Sequence, residues 1–283
     1  MKKFLILIIC CILPLSVFAQ ANITTKRIKI SDFPQKVTKV VLTGNVLFDA
    51  VLKEEITARW RVSPFEFCTL QEFENLKDRD QYYFLMSIKG QFRTENEPGL
   101  QFLTIIKGGP KAANGINEML EVISVPVASA ENPSGRELIF LPAFITILQQ
   151  FTSEAIENDK CLYSGLSYYS RGINNSKEKN ILLTEEDLDS LVNEDIRNLY
   201  INNGIEITDI DHADSLLKAT APNTLVSYVA APAEAKDGFY CYKMLIDTQT
   251  YQLYFFRKHR ISPKHGAGFT DYDLRSIHTT RTK

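Results

Sequence analysis

Lys39-Val-Val-Leu-Thr43, then Asn45-Val-Leu-Phe-Asp-Ala50, then Ser63-Pro64-Phe65-Glu-Phe-Cys68, then Thr69-Leu-Gln-Glu72: these four pieces decide the fold, because each ends one periodicity and starts another. The first is a short apolar run of strand type. Asn45 can cap a helix whose apolar positions Leu47, Val51, Ile56 and Trp60, with Ala50, follow helical spacing. Ser63-Pro64 stops it, since proline lacks an N–H and restricts the residue before it. Phe65, Phe67 and Leu70 bracket a second short strand, and Thr69 with Glu72 forms a capping box opening a helix through Phe73 and Leu76. Tyr82 to Phe92 and Leu100 to Lys107 then read as an antiparallel hairpin around a polar loop, Arg93 to Gly99. The order is β-α-β-α-β-β.

The same order returns further along. Displacing the chain by 140 residues brings Ile56 onto Ile196, Trp60 onto Tyr200, Phe65-Glu-Phe67 onto Ile205-Glu-Ile207, Leu85 onto Leu225, Ser87 onto Ser227 and Ile105-Ile106 onto Leu245-Ile246. With one residue of slip, Val40 to Thr43 falls on Ile181 to Thr184. Thr184-Glu-Glu-Asp187 is expected to open a helix that Asp195 to Asn203 continues or restarts, with Gly204 at the position beyond its end. Ile205 to Ile207, Asp211 to Lys218, Leu225 to Ala230 and Phe239 to Asp247 follow as strand, helix and two strands. Tyr251 to Ile261 is a further strand without an evident counterpart in the first copy, which instead carries Met119 to Val127 and a long helix from Glu137 to about Glu157. That helix has an apolar run, Leu138 to Leu148, too short to span a bilayer and suited to a core position. The expected fold class is α/β (α+β), two tandem related modules with a mixed sheet each. The divisions are a signal peptide (1–19), an N-terminal segment (20–38), module 1 (39–157), a polar linker (158–179) and module 2 (180–283).

Lys2 and Lys3, the apolar stretch Phe4 to Val17 and the small-residue pattern Val17-Phe18-Ala19 compose a cleavable secretory leader. Ile9 precedes Cys10 and Cys11 follows it, which is no lipoprotein site. A periplasmic or secreted protein, not a lipoprotein and without stable membrane insertion after cleavage, is expected. The chain carries 32 basic and 34 acidic residues, and loss of Lys2 and Lys3 moves its formal charge from −2 to about −4. An acidic balance argues against nucleic acid as a partner. Of five cysteines, Cys68, Cys161 and Cys241 remain after cleavage, an odd number. Cys68 and Cys241 sit in strand-like apolar contexts and read as buried small hydrophobes, although any two of the three could pair in an oxidising compartment.

With a strand, a capped helix, Val62-Ser63-Pro64-Phe65, a second capped helix and a long hairpin, an exported chain of this kind resembles the α/β module of the TolB amino-terminal domain and of the curli-secretion lipoprotein. It also looks like exported bacterial proteins of unknown function. The resemblance covers residues 39–107 and extends to 181–261. It implies the fold alone, because no site residue of those families is matched and the lipoprotein signal is missing.

Four places could carry chemistry. Arg257-Lys-His259-Arg260, followed by His265, is the most basic stretch and could meet a phosphate, a carboxylate or an acidic glycan. In a strand its charges divide between two faces, and an edge strand guarded against aggregation reads the same way. His265-Gly-Ala-Gly268-Phe-Thr-Asp271 adds a glycine loop and a carboxylate, or else turns the chain while Thr270 caps a final helix through Leu274 and Ile277. Tyr168 and Tyr169, with Tyr163, lie in a polar stretch and are expected to be accessible for ligand stacking. Asp209, Asp211, His212 and Asp214 could gather a divalent cation, though a helix cap with a negatively charged first turn explains them more simply. No nucleophile elbow, zinc-protease motif or phosphate loop is present. The leading expectation is therefore a non-catalytic binding or envelope-assembly protein without a cofactor, whose partner is an envelope protein or a small anionic or glycan ligand. Its rival is a hydrolase of a glycan, peptide or ester using His212, His259 or His265 as base.

Overall fold

A computed structural model describes residues 29–93 and 95–282, so the leader lies outside the described residues. Module 1 runs β1 (Val37–Val41), α1 (Val46–Arg59), β2 (Phe65–Cys68), α2 (Leu70–Leu76), β3 (Tyr82–Gly90), β4 (Leu100–Lys107), β5 (Leu120–Ser129) and α3 (Arg136–Glu157). A short α4 (Cys161–Ser164) and a 3₁₀ segment, Gly165–Asn175, join it to module 2. That module comprises β6 (Asn180–Thr184), α5 (Glu194–Tyr200), β7 (Ile205–Thr208), α6 (Ile210–Lys218), β8 (Thr224–Ala230), β9 (Tyr240–Asp247), β10 (Leu253–Arg260) and α7 (Asp271–Thr282). The sheets order as β2-β1-β3-β4-β5 and β7-β6-β8-β9-β10, strand for strand the same topology. In each, the first strand is parallel to both neighbours and the last three form an antiparallel meander.

Local chemistry sets the elements where the sequence says it should. Asn45 accepts from the amides of Leu47 and Phe48, and the Thr69–Glu72 capping box is closed in both directions. Three expectations need correction. Thr184 opens no α-helix, since Glu185–Asp187 is a single 3₁₀ turn without a side-chain cap; of the two courses expected beyond it, the restart is the one that forms, with α5 under Asn193. The turn stops because Asp187 points inward to Arg136 and Ser227. β10 does have a counterpart, β5, which flanks β4 as β10 flanks β9. Finally, the 140-residue displacement holds for Leu85 and Leu225, partners of Val40 and Ile181, but drifts by two along the hairpin, where Ser87 faces Leu103 and Ser227 faces Leu245. A drift of two leaves every side chain on its own face, which is why the hydrophobic pattern still matched.

The two modules stack head to tail, not face to like face. Val40 and Leu85 belong to the central core between the sheets, whereas their equivalents Ile181 and Leu225 lie on the far side of module 2. The central layer takes α1 and α3 from module 1 but α6 from module 2, leaving α2 outermost at one end and α5 with α7 at the other. Helix composition explains the arrangement. α3 is apolar around much of its circumference, with eleven buried residues including Phe140, Phe144, Phe151 and Leu148, so it needs cover on two sides. Its equivalent α7 buries just Asp273, Leu274 and Ile277 and suits the outside. By length and composition α3 could cross a bilayer, yet here it is the filling between two sheets.

The joining segment is not a loose linker. Leu166, Tyr169 and Ile173 are buried, Ser170 donates to the Phe256 carbonyl, and a Cβ on Gly172 would sit 2.9 Å from the Tyr254 carbonyl oxygen. Among the described residues the three cysteines are free and buried. Gly268 has φ +112°, and a Cβ there would approach the Leu188 carbonyl carbon to 2.5 Å and the Asp189 nitrogen to 2.6 Å. Gly268→Ala is therefore expected to cost more than about 2 kcal/mol, against about 1 kcal/mol for Gly238→Ala, where φ is equally unfavourable but the space is open. Urea midpoints of the two variants measure the difference.

Candidate functional site

The basic strand is spoken for from within. β10 is the edge of its sheet, and Arg257 turns toward α7, where its guanidinium meets Asp273 Oδ1 at 2.9 Å and Ser276 Oγ at 3.2 Å. Asp273, fully buried, also receives the ammonium of Lys243, itself 1% exposed, and the amide and hydroxyl of Thr270. Burial pushes the Asp273 carboxyl up, but Lys243 and the donated hydrogen bonds outweigh it and hold the group below its usual range. His259 shares that face; its Nε2 lies 2.7 Å from the Gly266 carbonyl, and its Nδ1 is buried without a partner. Burial, then Lys243, keeps its pKa low. His265 is exposed, its ring 6.3 Å from that of His259. Arg260 lies on the opposite face with its guanidinium over Tyr240, and Asp271 is exposed at the start of α7.

The acidic cluster before α6 comes apart in the same way. Asp209 accepts from the His212 amide as the N-cap, while Asp211 and His212 are exposed. Asp214 turns inward to Arg136 Nε, at 2.9 Å. Arg136 also binds Asp187 at 3.0 Å and donates to the Ser227 carbonyl, so the first residue of α3 locks module 1 into module 2. Desolvation raises the Asp214 pKa even so. Among the described residues no group of three or more histidine, cysteine or acidic side chains is placed to hold a metal. The hydrogen bonds recorded for His212, His259 and His265 do not join any of their rings to a carboxylate and a hydroxyl or thiol.

Where the two modules meet, a cavity of about 250 Å³ opens between the edge strands β5 and β10. Its aromatic wall is continuous across the seam. Phe92 lies 6.3 Å from Phe102, Phe102 lies 5.8 Å from Tyr242, and Tyr242 lies 5.9 Å from Phe256, ring centre to ring centre. Tyr163, Ser164 and Ser167 from the joining segment form the mouth, with Lys258 beside them, over the ring of Tyr240. Tyr163 and Tyr168 are 57% and 44% exposed, but Tyr169 is 8% exposed and packs against Phe151, so the expectation of accessibility fails for Tyr169. An eleven-residue 3₁₀ run with apolar residues on one side buries that ring.

One carboxyl faces this wall. β5 pairs Ile123 with Ile105 but Glu121 with Ile106, so Val122 is an extra residue, a bulge. The bulge breaks the two-residue alternation and brings Glu121 and Ser124 together, Ser124 Oγ donating to Glu121 Oε1 at 2.8 Å. Thr104 Oγ1 lies 2.9 Å behind Ser124 Oγ. Burial raises the Glu121 pKa, Ser124 opposes it weakly, and no nearby cation contributes among the described residues. Sequence reading missed Glu121 and Ser124, and it noted Lys258 only as one charge of the basic stretch. Glu121 was visible as a lone acid in the apolar run Met119 to Val127; the bulge that aims it was not. No protein-family model matches the chain, and neither the curated proteins nor the solved structures yield a match.

Proposed function

We propose that the chain is an exported binding protein of two related α/β modules, and that a small amphipathic ligand occupies the cavity between β5 and β10. The observation that carries this reading is the composition of the cavity: five aromatic rings, Phe92, Phe102, Tyr163, Tyr242 and Phe256, drawn from both modules and the joining segment and set among aliphatic and hydroxyl groups, with one carboxyl and one ammonium in the lining. Ligand sites have this character, being mostly apolar with a few convergent polar groups. The leader sequence supports export. The histidines that a hydrolase would require are engaged with backbone or exposed, which favours binding over the catalytic alternative.

The test uses the mature chain and a panel of small aryl-alkyl amines, alcohols and carboxylates, read by thermal shift and calorimetry. Ser164→Trp places an indole in the mouth from an exposed position and is expected to leave stability within about 0.5 kcal/mol. Wild type should bind at least one class of probe, and Ser164→Trp should weaken that binding by more than about tenfold, roughly 1.4 kcal/mol. Absence of binding by every class, or equal binding by the blocked variant, removes the proposal.

A further inference from the structure

We propose that the ligand of the seam cavity is a small organic ammonium, an amine on an aryl or alkyl body, held by Glu121 and the surrounding rings. The inference rests on the binding role proposed above and specifies its chemistry. The Glu121 carboxyl is half-buried, shares the cavity lining with Phe102, Tyr242 and Phe256, and has no ion pair among the described residues. A part-buried carboxyl without a countercharge is stabilised by keeping its proton or by meeting a cation from outside. Ser124 donates to Glu121 Oε1, with the Thr104 hydroxyl behind it, a bond that either form of the carboxyl accepts; burial by itself favours the protonated form, and a ligand ammonium supplies the charge that favours the ionised one.

The rings add to the same preference. An ammonium beside Glu121 lies among the faces and edges of Phe102, Tyr242 and Tyr163, and aromatic faces attract cations where water is scarce. The protein already uses that pairing close by, with Lys258 Nζ 5.4 Å and Arg260 Cζ 5.6 Å from the ring centre of Tyr240. The bulge at Val122 is the device that makes the site: without it, Glu121 and Ser124 would point to opposite faces of β5. Lys258 also lines the cavity but holds its ammonium over the ring of Tyr240, and among the described residues it makes no ion pair with Glu121.

Three isosteric probes separate the possibilities: 2-phenylethylammonium, 2-phenylethanol and 3-phenylpropanoate, titrated into wild type and Glu121→Gln. Wild type should prefer the ammonium over the alcohol by about tenfold or more. Glu121→Gln keeps the shape and the hydrogen bond from Ser124, so it should erase that preference while leaving the alcohol's affinity within about threefold. Equal affinity of alcohol and ammonium for wild type, tighter binding of the carboxylate, or an ammonium preference that survives Glu121→Gln overturns the ammonium assignment and leaves the binding role standing. If all three probes fail to bind wild type, the binding role and the ammonium assignment fall together.

Discussion

Arg136→Met should destabilise the protein by about 3–5 kcal/mol, a fall in melting temperature on the order of 10 °C, although Arg136 touches neither the cavity nor the surface patch. Among the described residues the guanidinium is the sole cation in ion-pair contact with Asp187 and Asp214, Lys218 acting on Asp214 only through its field, and both carboxylates are less than a tenth exposed. Methionine recovers the packing over Phe140 and Tyr228, whose rings lie 4.9 and 5.4 Å from the guanidinium, so the loss isolates the charge. Its pH dependence has a definite sign. Burial already lifts the Asp214 pKa, and removing Arg136 lifts it further; a carboxyl raised in the folded state makes that state bind protons more readily than the unfolded chain. The deficit should therefore shrink as the pH falls from 8 toward about 5. Asp214→Asn added to Arg136→Met should recover part of the loss even at pH 8. Guanidinium unfolding of the single and double variants measures this, and a deficit independent of pH would show that Arg136 acts through packing.

Asp273→Ala is expected to have a comparable effect, again about 3–5 kcal/mol, because it strands Lys243 at 1% exposure. It also removes the partner of Arg257 and the acceptor for the Thr270 amide and hydroxyl at the start of α7. Here the pH dependence runs the other way. Asp273 is held below its unfolded pKa, so its contribution is fully present above about pH 4 and is lost as the pH falls through the lower folded value. The gap between wild type and Asp273→Asn should close only in strong acid. Because α7 belongs to the outer layer of module 2, amide exchange should show the loss first in α7 and in the segment 262–270. A uniform loss of protection across both sheets would place the network in the common core instead.

The elements were largely legible in the sequence. Runs rich in strand-forming residues set β3 and β4, Asn45 and Thr69 capped α1 and α2 as expected, and the repeat in module 2 carried the same order. Where local reading failed, a distant partner had intervened. Thr184-Glu-Glu-Asp187 has the composition of a helix start, but Asp187 is drawn to Arg136, 51 residues away, and one 3₁₀ turn is all that remains. The basic strand was visible as a cluster of charge, yet Lys243 and Asp273 decide what Arg257 does, and neither is near it in sequence. Tyr169 stands in a polar stretch and is buried because the joining segment lies against β10.

By itself the sequence determined two α/β units of common topology, because strand and helix periods, caps and prolines act within a few residues and survive a register drift of two. Which face of one unit meets which face of the other was decided only in three dimensions. α3 must bury apolar surface on two sides and α7 must not, so the modules stack head to tail. The cavity follows from that stacking. Its walls are completed by β10 and the joining segment, and its carboxyl is aimed by a bulge that depends on how β5 pairs with β4.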